Sequence, residues 1–229
     1  MEKKKRYISF NQKLIDRLTE FGFKRKNMDF FKRKVSEDIT QSIIFGHTTQ
    51  GRKHVKFYYV RINIEFPKVL TLAKDLDLLL PITAFWNSNI GELMPIPNWL
   101  EWPIGEDTDE KYDNKVVDSM LHHIKKYALP FLNHYNTPAA IIEGIKKRAY
   151  RNSYGEDYHA CAILFLYGKK EDFDWFVEQR SYEKQFHVYD PGQHWDYRHP
   201  TISLNDNCMD FLNFAEALYT NGEKNKNNV

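Results

Sequence analysis

Five side chains able to hold a metal or move a proton crowd into thirteen residues near the end of the chain: His187, Asp190, His194, Asp196 and His199, in HVYDPGQHWDYRH. Imidazole titrates near neutrality and a neighbouring carboxylate orients it, so such a set suits a divalent cation or shared acid–base work. The spacing matches no metal signature, so no metal is assigned. The competing reading is a surface loop pinned by its aromatics, with hydrogen-bonded histidines. Loops this long without structure of their own are uncommon in compact domains, which keeps the stretch a candidate.

A second set is cationic. Phe-Lys-Arg-Lys occurs at 23–26 and again at 31–34, so Lys24, Arg25, Lys26, Lys32, Arg33 and Lys34 stand beside Phe30, Phe31, Tyr58 and Tyr59. Cations interleaved with aromatics can contact phosphates and stack on bases. A lysine-rich outer strand also deters edge-to-edge pairing. The formal net charge of +2 is far from the balance of a dedicated nucleic-acid binder and favours the second reading.

Other chemistry-bearing residues are weaker candidates. His122 and His123 are adjacent on a helix and point about 100° apart. Cys161 lies in the apolar run Ala-Cys-Ala-Ile-Leu-Phe-Leu and reads as core. The chain has no phosphate-cradling glycine loop, no Gly-X-Ser-X-Gly elbow and no His-Glu-X-X-His pair. No pattern names a cofactor.

The elements that must position these residues follow from periodicity. Leu14, Ile15, Leu18 and Phe21 form one helical stripe, with Ser9 three residues before Gln12 as the expected cap and Gly22 at the expected left-handed end. Tyr58, Val60, Ile62, Ile64 and Phe66 alternate with Tyr59, Arg61, Asn63 and Glu65, the pattern of a strand covered on one face. Residues 38–48 and 28–35 read as two more strands joined by short links, and 82–86 as a fourth. Pro95, Pro97 and Pro103 keep 95–113 out of a central strand and place it at an edge or over the surface.

Beyond this point the pattern is helical. A stripe from Val116 to Ala128 meets Pro130, Thr137-Pro138 starts a further helix, 157–167 ends at Gly168, a helix with Phe173 and Phe176 follows, and 206–220 makes the last. The predicted fold class is α+β: an N-terminal helix with an antiparallel sheet of about four strands, then a C-terminal helical part of about four to five helices. The predicted division is 1–113, 114–220 and a disordered tail at 221–229.

Composition narrows the class. With 42% hydrophobic and 15% aromatic residues the chain can bury a sizeable core. No apolar run reaches membrane-spanning length, the chain starts MEKKKR, and there are two cysteines; the expectation is a cytoplasmic protein with no membrane segment. Charge is unevenly spread: residues 1–61 hold 16 Lys or Arg against 6 Asp or Glu, and residues 62–113 hold 3 against 10. Such polarity marks either an anionic partner for the basic part or two parts facing each other within one fold, the second being the simpler reading.

Gly-Phe-Lys-Arg-Lys at 22–26, Phe-Phe-Lys-Arg at 30–33, Thr-Gln-Ser-Ile at 40–43, the Trp99 region and Leu-Pro-Phe-Leu at 129–132 carry a resemblance. The chain is similar, over roughly its first two thirds, to the bacterial "domain of unknown function 4304" group. The resemblance implies an α+β architecture and carries over no activity, cofactor or site residue. This sequence departs from the group at 97–113 and 182–204. The expected function is a protein-interaction or binding module, immunity-type neutralisation of a toxin being one form, using the sheet face or the acidic 101–113 segment. The alternative is a metal-assisted hydrolase using the 187–199 loop.

Overall fold

Asn11 starts the first helix. In the computed structural model, which describes residues 11–78, 80, 84–147, 154–186 and 204–226, α1 spans Gln12–Glu20. The Asn11 side chain accepts from the Leu14 N–H, the role expected of Ser9, which lies outside the described residues. Its amide also donates to Asn114 Oδ1 at 3.1 Å. At the other end Gly22 has φ +83°, Gly22 N–H donates to Thr19 O and Phe23 N–H to Leu18 O. These are the two bonds of a Schellman turn, and Leu18 and Phe23 are both fully buried beside it.

The chain then builds a six-stranded antiparallel sheet from β1 (Lys24–Arg25), β2 (Phe30–Lys34), β3 (Thr40–Thr48), β4 (Val55–Glu65), β5 (Trp86–Asn89) and β6 (Trp102–Gly105). β1 to β4 form a meander, and β4 pairs with β3 from Thr40↔Glu65 to Thr48↔Phe57. The other edge of β4 is closed in two pieces. Arg61–Ile64 pairs with β5, and Val55–Tyr58 pairs with β6. Pro103 is tolerated in β6 because this strand lies at the edge. The sheet exceeds the four strands expected because β1 and β6 are too short to leave a periodic signal.

One face of the sheet carries Phe31, Ile43, Phe45, Val60, Ile62 and Ile64, all buried. Helices cover it: α3 (Glu110–His123), which a π turn (Ile124–Ala128) joins to α4 (Leu129–His134). The Trp102 indole donates to Ser119 Oγ in α3 at 2.9 Å, and Trp86 lies 4.6 Å from Phe131 and stacks on Tyr135 at 5.9 Å. The π turn ends two residues before Pro130. Proline has no N–H and its ring collides with the carbonyl four residues back, so a wider turn lets the helix continue where a stop or kink was expected.

Contacts divide the chain into two compact units, Met1–Pro67 with Ala84–Ala140, and Lys68–Thr83 with Ile141–Val229. α3 thus belongs to the unit that contains the sheet. The second unit contains α2 (Pro67–Asp75), most of α5 (Pro138–Lys146), α6 (Tyr154–Tyr167), α7 (Lys170–Phe186) and α8 (Leu204–Lys226). Thr137 Oγ1 accepts from the Ala140 N–H and Pro138 opens α5, as the dipeptide predicts. α6 is buried from Glu156 to Phe165. Its Tyr158 meets Phe211 and Phe214 of α8 at 5.7 and 4.9 Å, and its Phe165 meets Phe173 of α7 at 5.9 Å. α8 continues through 221–226, part of the stretch expected to be disordered. No helix among the described residues is long and apolar enough to cross a membrane.

Candidate functional site

The His187, Asp190, His194, Asp196 and His199 cluster lies outside the described residues. Among the described residues no group of three or more His, Cys, Asp and Glu side chains is placed to hold a metal ion. Cys161 is fully buried, and burial, reinforced by Asp157, pushes its thiol far above the ordinary range, so it carries no thiolate chemistry. His123 donates from Nδ1 to Ser119 O at 2.7 Å and packs edge-on to Trp102, a structural role.

The six cationic residues do not form one patch. Strand alternation sends Arg33 toward the helices, where Nε donates to Gln41 Oε1 at 2.8 Å, Nη1 to Phe21 O and Nη2 to Asn133 Oδ1, with the guanidinium 4.7 Å over Phe23. Burial lowers its pKa. Arg25 bonds the carbonyls of its own turn, Asn27 O and Met28 O. Lys32, on the opposite face, is paired with Glu65 at 2.7 Å. Lys24, Lys26 and Lys34 remain exposed.

Two other constellations stand out, and both surround β4. The first is the segment between β5 and β6. Asn89, almost fully buried, closes its base: Oδ1 accepts from Gly91 N–H at 2.8 Å and Leu100 N–H at 3.0 Å, and Nδ2 donates to Leu100 O at 3.1 Å. A Cβ on Gly91 would lie 2.5 Å from Asn98 O, so the two limbs close this tightly only over glycine. The tip projects Ile96, 81% exposed, and Trp99, 53% exposed. Trp99 leans on Tyr59 at 5.5 Å and donates from Nε1 to Glu101 Oε1 at 2.8 Å.

Acidic residues follow directly. Residues 101–113 hold six carboxylates against one lysine, and Glu106, Asp107, Asp109 and Glu110 are exposed. Asp109 caps α3 by accepting from the Tyr112 N–H at 2.7 Å, and Tyr112, 39% exposed, donates from its hydroxyl to Pro103 O. The sequence identified the acidic run and the prolines. It gave no sign that Asn89 would hold the segment closed and turn its apolar side chains outward.

The second constellation lies on the sheet face turned away from α3 and α4. Glu65 accepts from Lys32 Nζ and from Ser42 Oγ, at 2.7 and 3.1 Å. Beside this trio stand Arg61, Asn63 and Asn87, with Asn63 directly opposite Asn87 and Arg61 opposite Asn89. Arg61 Nε, Asn63 Oδ1 and Asn87 Oδ1 are buried and have no hydrogen-bond partner among the described residues. Period-two alternation put Arg61 and Asn63 on the uncovered side; it could not show that Asn63 would be only 7% exposed.

In the second unit Asp157 pairs with Arg180 Nε at 3.1 Å inside the helical core, where Glu156 and His159 are also buried. The sequence reading took this helix as mostly apolar and missed them. A fully enclosed ion pair ties α6 to α7 and presents no reactive group to a substrate.

The fold defines an α+β protein with an antiparallel meander covered by helices on one face. No known protein family matches the chain, and neither a curated protein nor a solved structure does.

Proposed function

We propose that this chain is a protein-binding module that docks a cationic partner protein through the segment from Ile96 to Tyr112. The observation that carries the reading is the pairing of exposed apolar anchors, Ile96 and Trp99, with the flanking carboxylates on a segment locked at its base by Asn89. Tryptophan in a ring of polar groups is the residue type that dominates interface energetics. A fixed base lowers the ordering cost of binding. The net negative charge of residues 101–113 steers a basic surface into place and disfavours nucleic acid there. Immunity-type neutralisation of a basic toxin fits this chemistry. Any contribution of the 187–199 stretch as a metal-assisted hydrolase site has no observation among the described residues behind it.

The test is capture of a partner by the tagged chain, its identification by mass spectrometry, and titration of the purified pair. A basic protein should bind with an affinity that falls with salt. Trp99→Ala combined with Ile96→Ala should weaken it about thirtyfold, the loss of about 2 kcal/mol for a buried anchor, while leaving the melting temperature of the chain unchanged. A partner held equally well by the double variant would exclude this surface.

A further inference from the structure

We infer that the groove between α7 and α8 receives a short basic amphipathic helix of a partner protein. The inference rests on none of the observations made at the Ile96–Trp99 tip. The groove is a cavity of about 490 Å³, lined by Phe173 and Val177 from α7 and by Leu212, Ala215 and Tyr219 from α8. Phe173 and Ala215, both buried, form its floor, and Ala215 keeps that floor low because its side chain ends at Cβ. Tyr219, 42% exposed, is the one large apolar-bodied side chain of this unit left in the open among the described residues. Its ring stacks on Phe173 at 6.4 Å.

Charge selects the partner. Lys170 pairs with Asp174 and lies 5.0 Å over the Tyr219 ring, so it is neutralised within the groove. Glu216, exposed, lines the α8 side. Glu178 follows Asp174 by four residues and Asp210 precedes Asn213 by three, spacings that share one helix face, so these two exposed carboxylates continue the rims beyond the cavity. The rim is acidic around one compensated lysine and attracts a cationic partner. The same sign repels nucleic acid, an anionic lipid surface and the identical hairpin of a second copy. Backbone selects the shape. The walls are helices whose N–H and C=O groups bond each other, so an extended peptide finds nothing there to pair with, whereas a helix brings its own bonds. Lys170 to Val177 spans about 10 Å, two helical turns, which seats apolar anchors at i, i+3 or i+4 and i+7 with lysines or arginines on the flanks.

Calorimetric titration of the full chain with three peptides of about fifteen residues tests the groove: a Leu/Lys peptide with its leucines at helical spacing, the same pattern with Glu for Lys, and a scrambled Leu/Lys peptide. The expected result at about 0.15 M salt is one-to-one binding of the basic helix with Kd below about 100 μM, at least about tenfold tighter than either control. Glu216→Lys and Tyr219→Ser should each weaken it at least about tenfold. Glu37→Lys, the same charge change on an exposed residue of the other unit, should leave it within about twofold, as should Ile96→Ala with Trp99→Ala. Absence of saturable binding by the basic helix would overturn the inference. So would equal binding of the scrambled peptide, or undiminished affinity in Glu216→Lys, the exposed position that remains informative if Tyr219→Ser does not fold. Loss of binding in the Ile96→Ala, Trp99→Ala protein would also overturn it, by assigning the peptide to the docking tip.

Discussion

Arg33 and Arg61 stand on opposite faces of one sheet and are treated oppositely. Arg33 has Nε, Nη1 and Nη2 each engaged, two of them by side chains from elsewhere in the chain and one by a helix carbonyl. Arg61 has its Nε buried with no partner among the described residues. The asparagine and glutamine amides repeat the contrast. Gln41, fully buried on the helix face, accepts from Arg33 and donates to Leu132 O and Tyr135 O, whereas Asn63 leaves its acceptor unmet. The Trp86 indole N–H is the exception on the helix face. Polar groups on the helix face are part of how α4 is fastened, whereas on the opposite face Arg61, Asn63 and Asn87 keep polar atoms unmet among the described residues.

The largest expected effect sharpens that contrast. Gln41→Leu removes the partner of Arg33 Nε and of two buried carbonyls and should cost about 3 kcal/mol in urea unfolding. Asn63→Val, which removes an unmet acceptor and adds a strand-favouring side chain, should stay within about 0.5 kcal/mol of the wild type or exceed it. Equal losses would mean that the two faces do not differ. A smaller effect is expected from Gly46→Ala. Its Cβ would lie 2.2 Å from Tyr59 Cζ, so the ring that Trp99 leans on must shift; a stability loss of about 1 kcal/mol and a shifted Trp99 indole signal by NMR are expected.

The smallest effect concerns His47, on the helix-face side of β3. Burial, and then repulsion from Lys56, lowers its pKa. The fold therefore favours neutral imidazole, and the unfolded chain takes up the proton first as the pH falls. The stabilising contribution is complete above about pH 6.5 and is lost as pH falls through the folded value. Lys56→Gln should move the imidazole titration upward, read from ring C–H chemical shifts. No movement would exclude Lys56 as a cause.

Local pattern was enough to find the secondary structure. The alternation in β4, Gly22, Thr137-Pro138 and Gly168 each encode their element within a few residues, and the α+β class followed from their order. Pairings that join distant residues were not legible. Nothing near Trp102 announces that it will pair with Tyr58, and nothing near Gln41 points to Leu132. For the same reason the repeated Phe-Lys-Arg-Lys looked like one cationic surface, although a period of two must split it between faces. Of the two constellations around β4, the acidic segment was visible as composition. The Arg61–Asn63–Asn87 cluster was not, because burial of polar side chains depends on neighbours that lie far away in the sequence.

Asn89 and Gly91 have a consequence for how this protein can vary. The bonds that shut the segment's base are made to the backbone of Gly91 and Leu100, and none depends on which side chains sit at 94–99. Substitutions at the tip therefore leave the closed base and the two short strands β5 and β6 intact. Descendants of this chain are free to exchange Ile96 and Trp99 for other residues, and so to change what they recognise, without having to refold around the change.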